Sequence, residues 1–331
     1  MNLNNLEKTL KDEPAFRLRQ AKEMIYKNLI NDWSEATNFS LDWREKLNQE
    51  CPLTITAETF KSEDDSLKIL LTLTDGLKVE SVLMRHGDGR NTVCVSSAVG
   101  CPLGCLFCAT GKMGFKRNLN APEMVEQVLY FSRYLKKMDE RVSNVVFMGM
   151  GEPFLNYDHV LEAVRILNAK DGLNIGARHI SISTAGIVPG IKKLSDEPLQ
   201  VNLAISLHAP NNNLRSKIMP IDKKYRIEMI MAAVDKYIEK TNRKVMFEYI
   251  MIQNVNDGDE EARELAMLIN KMPKPLCFVN LIAYNATAVF KPSKPETIKR
   301  FKQILEKKDI EVAERYRFGR GIKAACGQLA S

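Results

Sequence analysis

The stretch that decides the fold is Cys101-Pro-Leu-Gly-Cys105-Leu-Phe-Cys108, which holds three of the seven cysteines of the 331-residue chain. Thiols so close in sequence are typical ligands of one metal centre. A structural zinc site normally takes four protein ligands, and so does an iron–sulfur cluster held by protein alone. Three cysteines leave one position open, which favours a catalytic cluster. The alternatives are a zinc site completed by a distant ligand and three buried thiols that act as small hydrophobic side chains.

The Cys-x3-Cys-x2-Cys spacing of this stretch resembles that of the radical S-adenosylmethionine (SAM) superfamily. The resemblance implies a [4Fe-4S] cluster whose open iron binds the amino and carboxylate groups of SAM. It also implies that one electron from the cluster splits SAM into methionine and a 5'-deoxyadenosyl radical. The spacing alone does not indicate which reaction follows.

The composition is that of an ordinary globular protein, with 45% hydrophobic and 27% charged residues. No run of about 18 apolar residues is present, and residues 1–8 lack the apolar segment of a signal peptide. We therefore expect a cytoplasmic protein without a membrane span. The odd number of cysteines argues against a disulfide scaffold and favours metal or redox chemistry in a reducing compartment.

The net charge of +7 arises from 48 basic and 41 acidic residues and is mild, but the basic residues are clustered. The groups are Arg17, Arg19, Lys22 and Lys27; Arg85 and Arg90; Lys112, Lys116 and Arg117; and Arg315, Arg317, Arg320 and Lys323. The last two groups flank the cysteine stretch and Cys326, which predicts positive potential around a shared site. Charge alone leaves open both a nucleic-acid partner and an ordinary solvated surface.

The periodicity of the chain predicts an α/β fold with a small N-terminal helical accessory domain. Residues 1–65 form that domain, with a helix over 16–30, and residues 66–331 form the main domain. The main domain begins with a hairpin at Asp75-Gly76 and continues as alternating strands and helices. The predicted strands after the hairpin are 92–95, 144–148, 179–183, 201–206, 245–251, 278–282 and 310–313. The predicted helices are 122–137 with Asn120 as N-cap, 159–169, one after Pro189, 227–240, 260–271 and 295–307. Such alternation is typical of a parallel sheet in a partial or full TIM-type barrel, here the radical SAM barrel.

Polar and glycine residues follow several predicted strands, where barrel enzymes have their active sites. They are Gly149 to Pro153, Ser183 and Thr184, Ser206 to His208, and Asn285. Glycines allow close backbone approach, and hydroxyl, imidazole and amide groups suit the ribose and carboxylate of SAM. A dinucleotide site is excluded because Phe154 stands where the third glycine of its fingerprint belongs. His208 alone indicates little, but its place beside Ser206 favours ligand contact.

Four cysteines lie outside the stretch. Cys51 and Cys277 are predicted to be inert hydrophobic residues. Cys94 lies on the strand that leads to Cys101. Cys326 lies near the chain end among small residues and close to basic ones, which indicates a reactive tail folded over a site.

Four motifs taken together resemble the RlmN and Cfr family of radical SAM enzymes, which methylate adenosine in RNA. They are 95–101 continued by 108–111, 147–153, 206–210 and 324–329. The resemblance implies that Cys101, Cys105 and Cys108 hold the [4Fe-4S] cluster. It also implies a SAM site formed by Gly151, Glu152, Ser183, Ser206, Leu207, His208 and Asn285. In the same way it implies that Cys326 carries the methyl group, Cys94 resolves the product and Glu80 accepts a proton.

The chemistry that the resemblance implies uses two SAM molecules per turnover. Carbon 2 of adenine is electron-poor, so ordinary displacement on the SAM methyl group does not methylate it. In the family, one SAM methylates the Cys326 sulfur, and a radical from the second takes a hydrogen from that methyl group. The resulting S-methylene radical adds to adenine. Proton loss and attack by Cys94 on the Cys326 sulfur then release the RNA and leave a disulfide for external reduction.

The expected substrate is an adenosine of 23S rRNA, with tRNA as a further candidate, and the expected electron donor is a flavodoxin or ferredoxin. We expect a monomer. Methylation at carbon 8, as in Cfr, is the nearest alternative, but Pro153 favours the RlmN branch. A radical SAM enzyme that activates a partner and a zinc-stabilised RNA-binding module are the alternatives of other classes. The sequence departs from the family pattern at 286–290 and 317–323, which leaves the identity of the RNA open.

Overall fold

The computed structural model describes residues 3–287, 289–314 and 318–330. Its strands are β1 (Ala57–Lys61), β2 (Leu67–Thr72), β3 (Lys78–Arg85), β4 (Asn91–Cys94), β5 (Ala98–Gly100), β6 (Phe115–Asn118), β7 (Asn144–Phe147), β8 (Ile180–Thr184), β9 (Asn202–Ser206), β10 (Val245–Met251), β11 (Cys277–Ala283) and β12 (Glu311–Glu314). Its α-helices are α1 (Leu6–Thr9), α2 (Ala15–Tyr26), α3 (Leu41–Glu50), α4 (Ala109–Lys112), α5 (Ala121–Lys136), α6 (Tyr157–Asn168), α7 (Val188–Asp196), α8 (Asn212–Ile218), α9 (Ile227–Thr241), α10 (Asp259–Ile269) and α11 (Pro295–Glu306). Within these ranges, no helix has both the length and the apolar character that a bilayer crossing requires.

Ten of these strands form one sheet in the order β1-β2-β3-β4-β7-β8-β9-β10-β11-β12. The pairs among the first four strands are antiparallel, whereas every pair from β4-β7 to β11-β12 is parallel. The parallel strands therefore end at one edge, and β1 and β12 stand at the two sides of an open barrel. The predicted α/β partial barrel is confirmed.

The parallel part of the barrel follows the sequence pattern closely. Each predicted strand and helix of the alternation is present, with ends shifted by at most two residues. Helix α5 begins as expected, because the Asn120 side chain accepts the Glu123 N–H at 2.9 Å and the Glu123 carboxylate accepts the Asn120 N–H at 2.9 Å. This capping box satisfies two N–H groups that would otherwise lack partners at the helix start.

Helix α2 is shorter than predicted and ends at Tyr26 rather than at residue 30. Leu29 has a φ of 53°, a left-handed conformation in which the helix cannot continue. The Ile30 N–H instead bonds back to the Met24 carbonyl at 3.2 Å, which is the hydrogen-bond pattern of a helix end. Hydrophobic periodicity extends past this point, so the pattern alone did not reveal the end.

The N-terminal helices pack onto the barrel in one continuous hydrophobic core, which includes the fully buried Trp33. Arg133 of α5 joins the two parts by donating to the carbonyls of Leu53 at 2.9 Å and Ile30 at 2.5 Å. Strand β1 lies before residue 65, in the segment expected to be helical, and pairs with β2. The division at residue 65 stays a prediction, and β1 was missed because a short edge strand carries little periodic signal.

A small hairpin of β5 and β6, which the sequence analysis did not predict, encloses the cysteine stretch. Gly100 has a φ of 78° and lies so close to Gly114 that a Cβ atom at Gly100 would stand 1.9 Å from the Gly114 oxygen. The same oxygen accepts the Cys101 N–H at 2.9 Å. The hairpin therefore holds the first cysteine at the end of the barrel.

Candidate active site

The cysteine stretch lies over the carboxyl ends of the parallel strands, and all three of its thiols line one cavity there. The Cys108 N–H donates to the Cys105 carbonyl at 3.1 Å, which closes a tight turn between these two ligands. The Leu106 N–H donates to the Ile218 carbonyl at 3.0 Å and ties the turn to α8. Backbone hydrogen bonds thus shape the loop independently of the thiols, which remain available as ligands.

The environment of these thiols suits a positively charged metal centre. Burial raises the pKa of the Cys101 thiol to about 12. Burial also raises the pKa of Cys105, the neighbouring thiols of Cys108 and Cys101 add to that effect, and the charge of Arg215 opposes it. Buried thiolates so close together repel one another unless a metal compensates their charge.

The donor set fits an iron–sulfur cluster better than a single ion. Within the described ranges, no three His, Cys, Asp or Glu side chains are grouped closely enough to hold one metal ion. Zinc would require its sulfur ligands at about 2.3 Å from one point. A cluster binds each thiolate to a different iron and accepts wider spacing, and three cysteines leave its fourth iron open.

The strand ends place most of the predicted SAM-site residues on the same cavity, which is lined by Gly151, Glu152, Ser183, Ser206, His208 and Asn285. The hydroxyls of Ser183 and Ser206 lie 3.2 Å apart on the neighbouring strands β8 and β9. Glu152 is deeply buried, and burial raises the pKa of its carboxyl group. Its carboxylate accepts the N–H groups of Ala185 at 2.7 Å and Phe154 at 3.0 Å. The cavity thus combines hydroxyls, an acid and an amide.

His208 is buried in the barrel wall and is held in one state. Its Nδ1 accepts the Ile250 N–H at 3.1 Å, so the ring proton is on Nε2. Burial, reinforced by the charge of Arg215, lowers the pKa of His208 to about 3. The ring packs edge-on against Phe107 with centroids 4.9 Å apart. His208 is therefore a neutral donor at the cavity across the physiological pH range.

Two predicted residues, Leu207 and Glu80, are absent from the cavity lining. Leu207 is fully buried, and its N–H donates to the Glu248 carbonyl at 3.1 Å. The Glu80 carboxylate accepts Lys68 Nζ at 2.8 Å and the Ala330 N–H at 2.7 Å. Glu80 thus contacts the chain end that covers the cavity, and its role as proton acceptor stays a prediction.

The cysteine pair predicted to act in turnover, Cys94 and Cys326, lines the cavity together with the cluster cysteines. Hydrogen bonds hold the tail over the cavity. The Ala109 N–H donates to the Gly327 carbonyl at 2.8 Å, and Thr110 Oγ1 donates to the Leu329 carbonyl at 2.6 Å. The structure therefore brings residues that are more than 200 positions apart in sequence to one site.

Glu248 is a cavity residue that the sequence analysis missed. It lies on β10 opposite Ser206 of β9, is 2% exposed, and accepts Asn280 Nδ2 at 2.9 Å. An acidic residue inside the apolar strand Val245–Met251 was the available signal, since buried charges are rare without a specific role. With Glu152 it gives the cavity two carboxylates, which suit the sulfonium and ammonium groups of SAM.

Arg85 and Arg117 of the predicted basic groups are ion-paired. Arg117 pairs with Asp75 at 2.7 Å and with Glu123 at 2.8 Å, and Arg85 pairs with Glu140 at 2.5 Å. Lys112 donates to the backbone of Thr287 at 3.0 Å. Of the predicted basic group near Cys326, Arg315 and Arg317 lie outside the described residues, as does Ala288 in the atypical segment 286–290.

Comparison with known proteins gives a consistent picture. The sequence profile of the Radical SAM superfamily matches residues 95–266. A relative from Dictyoglomus thermophilum named probable dual-specificity RNA methyltransferase RlmN is 47% identical over 96% of this chain and 91% of its own length. A relative of the same name from Bacillus cytotoxicus is 44% identical over 99% of this chain and 91% of its own length. A crystal structure of a radical SAM methyltransferase from Sphaerobacter thermophilus is 44% identical and superposes with a TM-score of 0.94, covering 99% of this chain and 97% of that one.

Proposed function

The chain belongs to the radical SAM superfamily and, within it, to the RlmN and Cfr family, and on this premise we propose that it methylates carbon 2 of an adenosine in RNA. The RNA is 23S rRNA, with tRNA as a second substrate, and the reaction takes place in the cytoplasm. The observation that carries the proposal is the cavity shared by the cysteine stretch, Cys94 and Cys326. An enzyme that only binds SAM at a cluster has no need of these two additional thiols.

Each group of cavity residues has its own role in this proposal. Cys101, Cys105 and Cys108 hold the [4Fe-4S] cluster, which when bound supplies the electron for SAM cleavage. Gly151, Glu152, Ser183, Ser206, His208 and Asn285 bind SAM, and Leu207 contributes through its backbone. Glu152, Ser183 and His208 are buried, which limits the access of water to this side of the site and protects reactive carbon species from side reactions.

Cys326 is the proposed methyl carrier. Its thiolate attacks the methyl carbon of SAM and takes the methyl group, and S-adenosylhomocysteine leaves. After the carbon has joined adenine, the Cys94 thiolate attacks the Cys326 sulfur and breaks the bond between that sulfur and the carbon, which keeps the electron pair and takes up a proton to become the methyl group. The resulting disulfide needs two electrons from an external thiol or dithiol before the next turnover.

Glu80 is the proposed acceptor of the proton that leaves the adenine ring carbon. In the described structure its carboxylate is ion-paired to Lys68 and bonded to the Ala330 N–H. The proposal therefore requires the tail to shift when RNA is bound, because Glu80 otherwise lies beside the cavity rather than in it. A flavodoxin or ferredoxin as electron donor and a monomeric state are further parts of the proposal.

The test is an anaerobic assay with the reconstituted protein, SAM labelled in its methyl group, a reductant, and 23S rRNA or tRNA. Label in 2-methyladenosine with the wild type and none with Cys326→Ala is the expected result. Cys277→Ala is the matched control, because Cys277 is buried on β11 and is not among the cavity residues. It should retain the wild-type product.

Other outcomes identify the competing functions. Label in 8-methyladenosine would assign the chain to the Cfr type of reaction. SAM cleavage that is unaffected by Cys326→Ala, with both RNAs unlabelled, would indicate an activating enzyme. A colourless protein that holds zinc after anaerobic preparation would indicate a structural module.

A further inference from the structure

Arg215 is a fully buried arginine on α8 that lies directly beneath the strand ends of the cavity. Its Nε donates to the Leu207 carbonyl at 3.0 Å. Its Nη2 donates to the carbonyls of Ala185 at 2.7 Å and Ser206 at 3.3 Å. These three carbonyls belong to the ends of the neighbouring strands β8 and β9. One guanidinium group therefore joins the backbones of two strands at the point where Ser183, Ser206 and His208 line the cavity.

A buried ion pair sets the orientation of this guanidinium. Nη1 lies 3.2 Å from the Asp222 carboxylate, whose side chain is also fully buried, and donates to the Tyr225 carbonyl at 3.3 Å. An unpaired charge is strongly unfavourable in a buried position, so Asp222 is needed for Arg215 to stay in place. The remaining donors are then directed to the strand ends. A planar group with five N–H donors in a rigid fork is suited to this arrangement, and a lysine is not.

Helix α8 also supports the cysteine stretch. The Ile218 carbonyl, one turn after Arg215, accepts the Leu106 N–H at 3.0 Å. Ile218 and Met219 pack with Phe107 in a small hydrophobic cluster separate from the main core. The same short helix thus contacts the loop of the cluster ligands at one end and the strand ends of the SAM site through Arg215.

We propose that Arg215 is a positioning residue that sets the SAM-binding strand ends relative to the cysteine stretch. The residue does not line the cavity and acts through the backbones of Ala185, Ser206 and Leu207. SAM must contact both the open iron and the strand-end side chains, so the separation of the two determines how well it binds. This inference rests on the proposed function, because it takes the cavity to be the SAM site.

The experiment measures SAM binding rather than methylation. Arg215→Lys keeps a positive charge beside Asp222 and removes the forked hydrogen bonds. We expect its melting temperature to fall, because three buried carbonyls lose donors, while its cluster content stays close to that of the wild type and its Kd for SAM rises at least tenfold. The change that SAM causes in the electron paramagnetic resonance spectrum of the reduced cluster should shrink in parallel. A purely structural arginine would leave that spectral change intact.

Arg133→Lys is the matched control. Arg133 is also a buried arginine that donates to two backbone carbonyls, those of Leu53 and Ile30, but these lie in the N-terminal part of the chain. Its replacement should lower the melting temperature and leave the Kd for SAM within twofold of the wild type. An equal loss of SAM affinity in both variants would overturn the inference, since it would show a general loss of packing.

A second variant tests the positioning role of Arg215 if Arg215→Lys does not fold. Asp222→Asn retains Arg215 but removes the charge that orients it, so we expect a lower melting temperature and a several-fold rise in the Kd for SAM. If Arg215→Lys folds and binds SAM with wild-type affinity, the inference is overturned. If Arg215→Lys does not fold, wild-type affinity of Asp222→Asn for SAM overturns it. Failure of the wild type itself to bind SAM would refute the proposed function and the inference together, so the two failures are distinguishable.

Discussion

The two walls of the cavity are built in different ways. The barrel wall, which comprises residues 149–153, 183–185 and 206–208, is held by buried side chains such as Arg215 and Asn256. The tail wall, residues 324–330, buries only the side chains of Ala324, Ala325 and Leu329 and is otherwise held by single hydrogen bonds to α4, Asn285 and Glu80. Segments with few buried contacts open at lower free energy than core elements. The comparison indicates a fixed side for the cofactors and a releasable side for Cys326, the proposed methyl carrier.

The largest expected effect is at the hairpin that supports the barrel wall. Gly100→Ala introduces a Cβ atom 1.9 Å from the Gly114 oxygen at a φ of 78°. We expect the free energy of unfolding to fall by roughly 3 kcal/mol or more, because both the clash and the left-handed backbone oppose the native hairpin. Urea denaturation and iron content after reconstitution measure the effect.

Gly114→Ala is its control, since Gly114 also has a positive φ, of 76°, but a Cβ atom at this position would have no neighbouring atom within 4 Å. The free energy of unfolding of this variant should fall by only about 1–2 kcal/mol. Equal losses at the two positions would show that the contact between Gly100 and Gly114 is unimportant, and the barrel wall would then be less rigid than we infer.

The next effect concerns Asn256, whose amide is fully buried behind the barrel wall. Its Nδ2 donates to the carbonyls of His208 at 2.8 Å and Ile250 at 2.6 Å, and its Oδ1 accepts the Ile252 N–H at 2.7 Å. Asn256→Ala leaves three buried backbone groups without the partners that Asn256 supplies. We expect the free energy of unfolding to fall by roughly 2–3 kcal/mol.

Gln328→Ala in the tail wall is the comparison for Asn256→Ala. Gln328 donates to the Ala286 carbonyl over 3.5 Å near the surface, so its removal should change the free energy of unfolding by less than about 0.5 kcal/mol. Chemical denaturation of both variants measures the difference. A Gln328→Ala loss as large as that of Asn256→Ala would contradict the distinction between the two walls.

A third effect is a dependence of stability on pH that arises from His208. The pKa of His208 is lowered to about 3 in the folded protein, mainly by burial, whereas an unfolded histidine has a pKa near 6.5. The contribution of neutral His208 to the free energy of unfolding is therefore complete above pH 6.5. It declines as the pH falls towards 3, because in this range only the unfolded chain takes up the proton. The slope for one such group is at most about 1.4 kcal/mol per pH unit.

The measurement for His208 compares urea denaturation of the wild type and His208→Gln at pH 7 and pH 5. The glutamine variant is less stable at pH 7 and should lose less stability between the two values than the wild type does. Identical slopes for the two proteins would show that His208 takes up its proton in the folded state as readily as in the unfolded one.

The smallest effect on stability is expected in the tail wall. Gly327 has a φ of 80°, and a Cβ atom there would stand 3.3 Å from the Phe107 oxygen. Gly327→Ala should strain the tail by about 1 kcal/mol locally. Global unfolding should change little, whereas methylation of Cys326 by SAM should slow several-fold. Mass spectrometry of the tail peptide gives the methylation rate, and a global loss as large as that of Gly100→Ala would show that the tail belongs to the same cooperative unit as the barrel.

Much of the barrel was predictable because its signals are local. The periodicity of residues 144–313 located the parallel strands and helices, and Asn120 with Glu123 located the start of α5. Short elements were missed, as β1, β5, β6 and α8 show. Their residues carry no distinctive period over three to seven positions.

The candidate site was predictable where a motif carries its own chemistry. The cysteine spacing and the polar strand ends identified residues that the structure places on one cavity. Leu207 and Glu80 do not line this cavity, because the Leu207 side chain packs in the hydrophobic core and the Glu80 carboxylate pairs with Lys68. Glu248, Arg215 and Asn256 were not identified, since a single polar residue in an apolar segment does not reveal its partners.

The sequence by itself determined the alternation of strands and helices, the three-cysteine ligand set and the exclusion of a dinucleotide site by Phe154. These features depend on residues within a few positions of one another. Only the tertiary structure decided that Cys94 and Cys326 share a cavity with the cysteine stretch, that Arg215 joins two strand ends, and that Glu80 holds the tail. Such contacts join residues tens to hundreds of positions apart, and they form only when packing of the whole core brings the segments together.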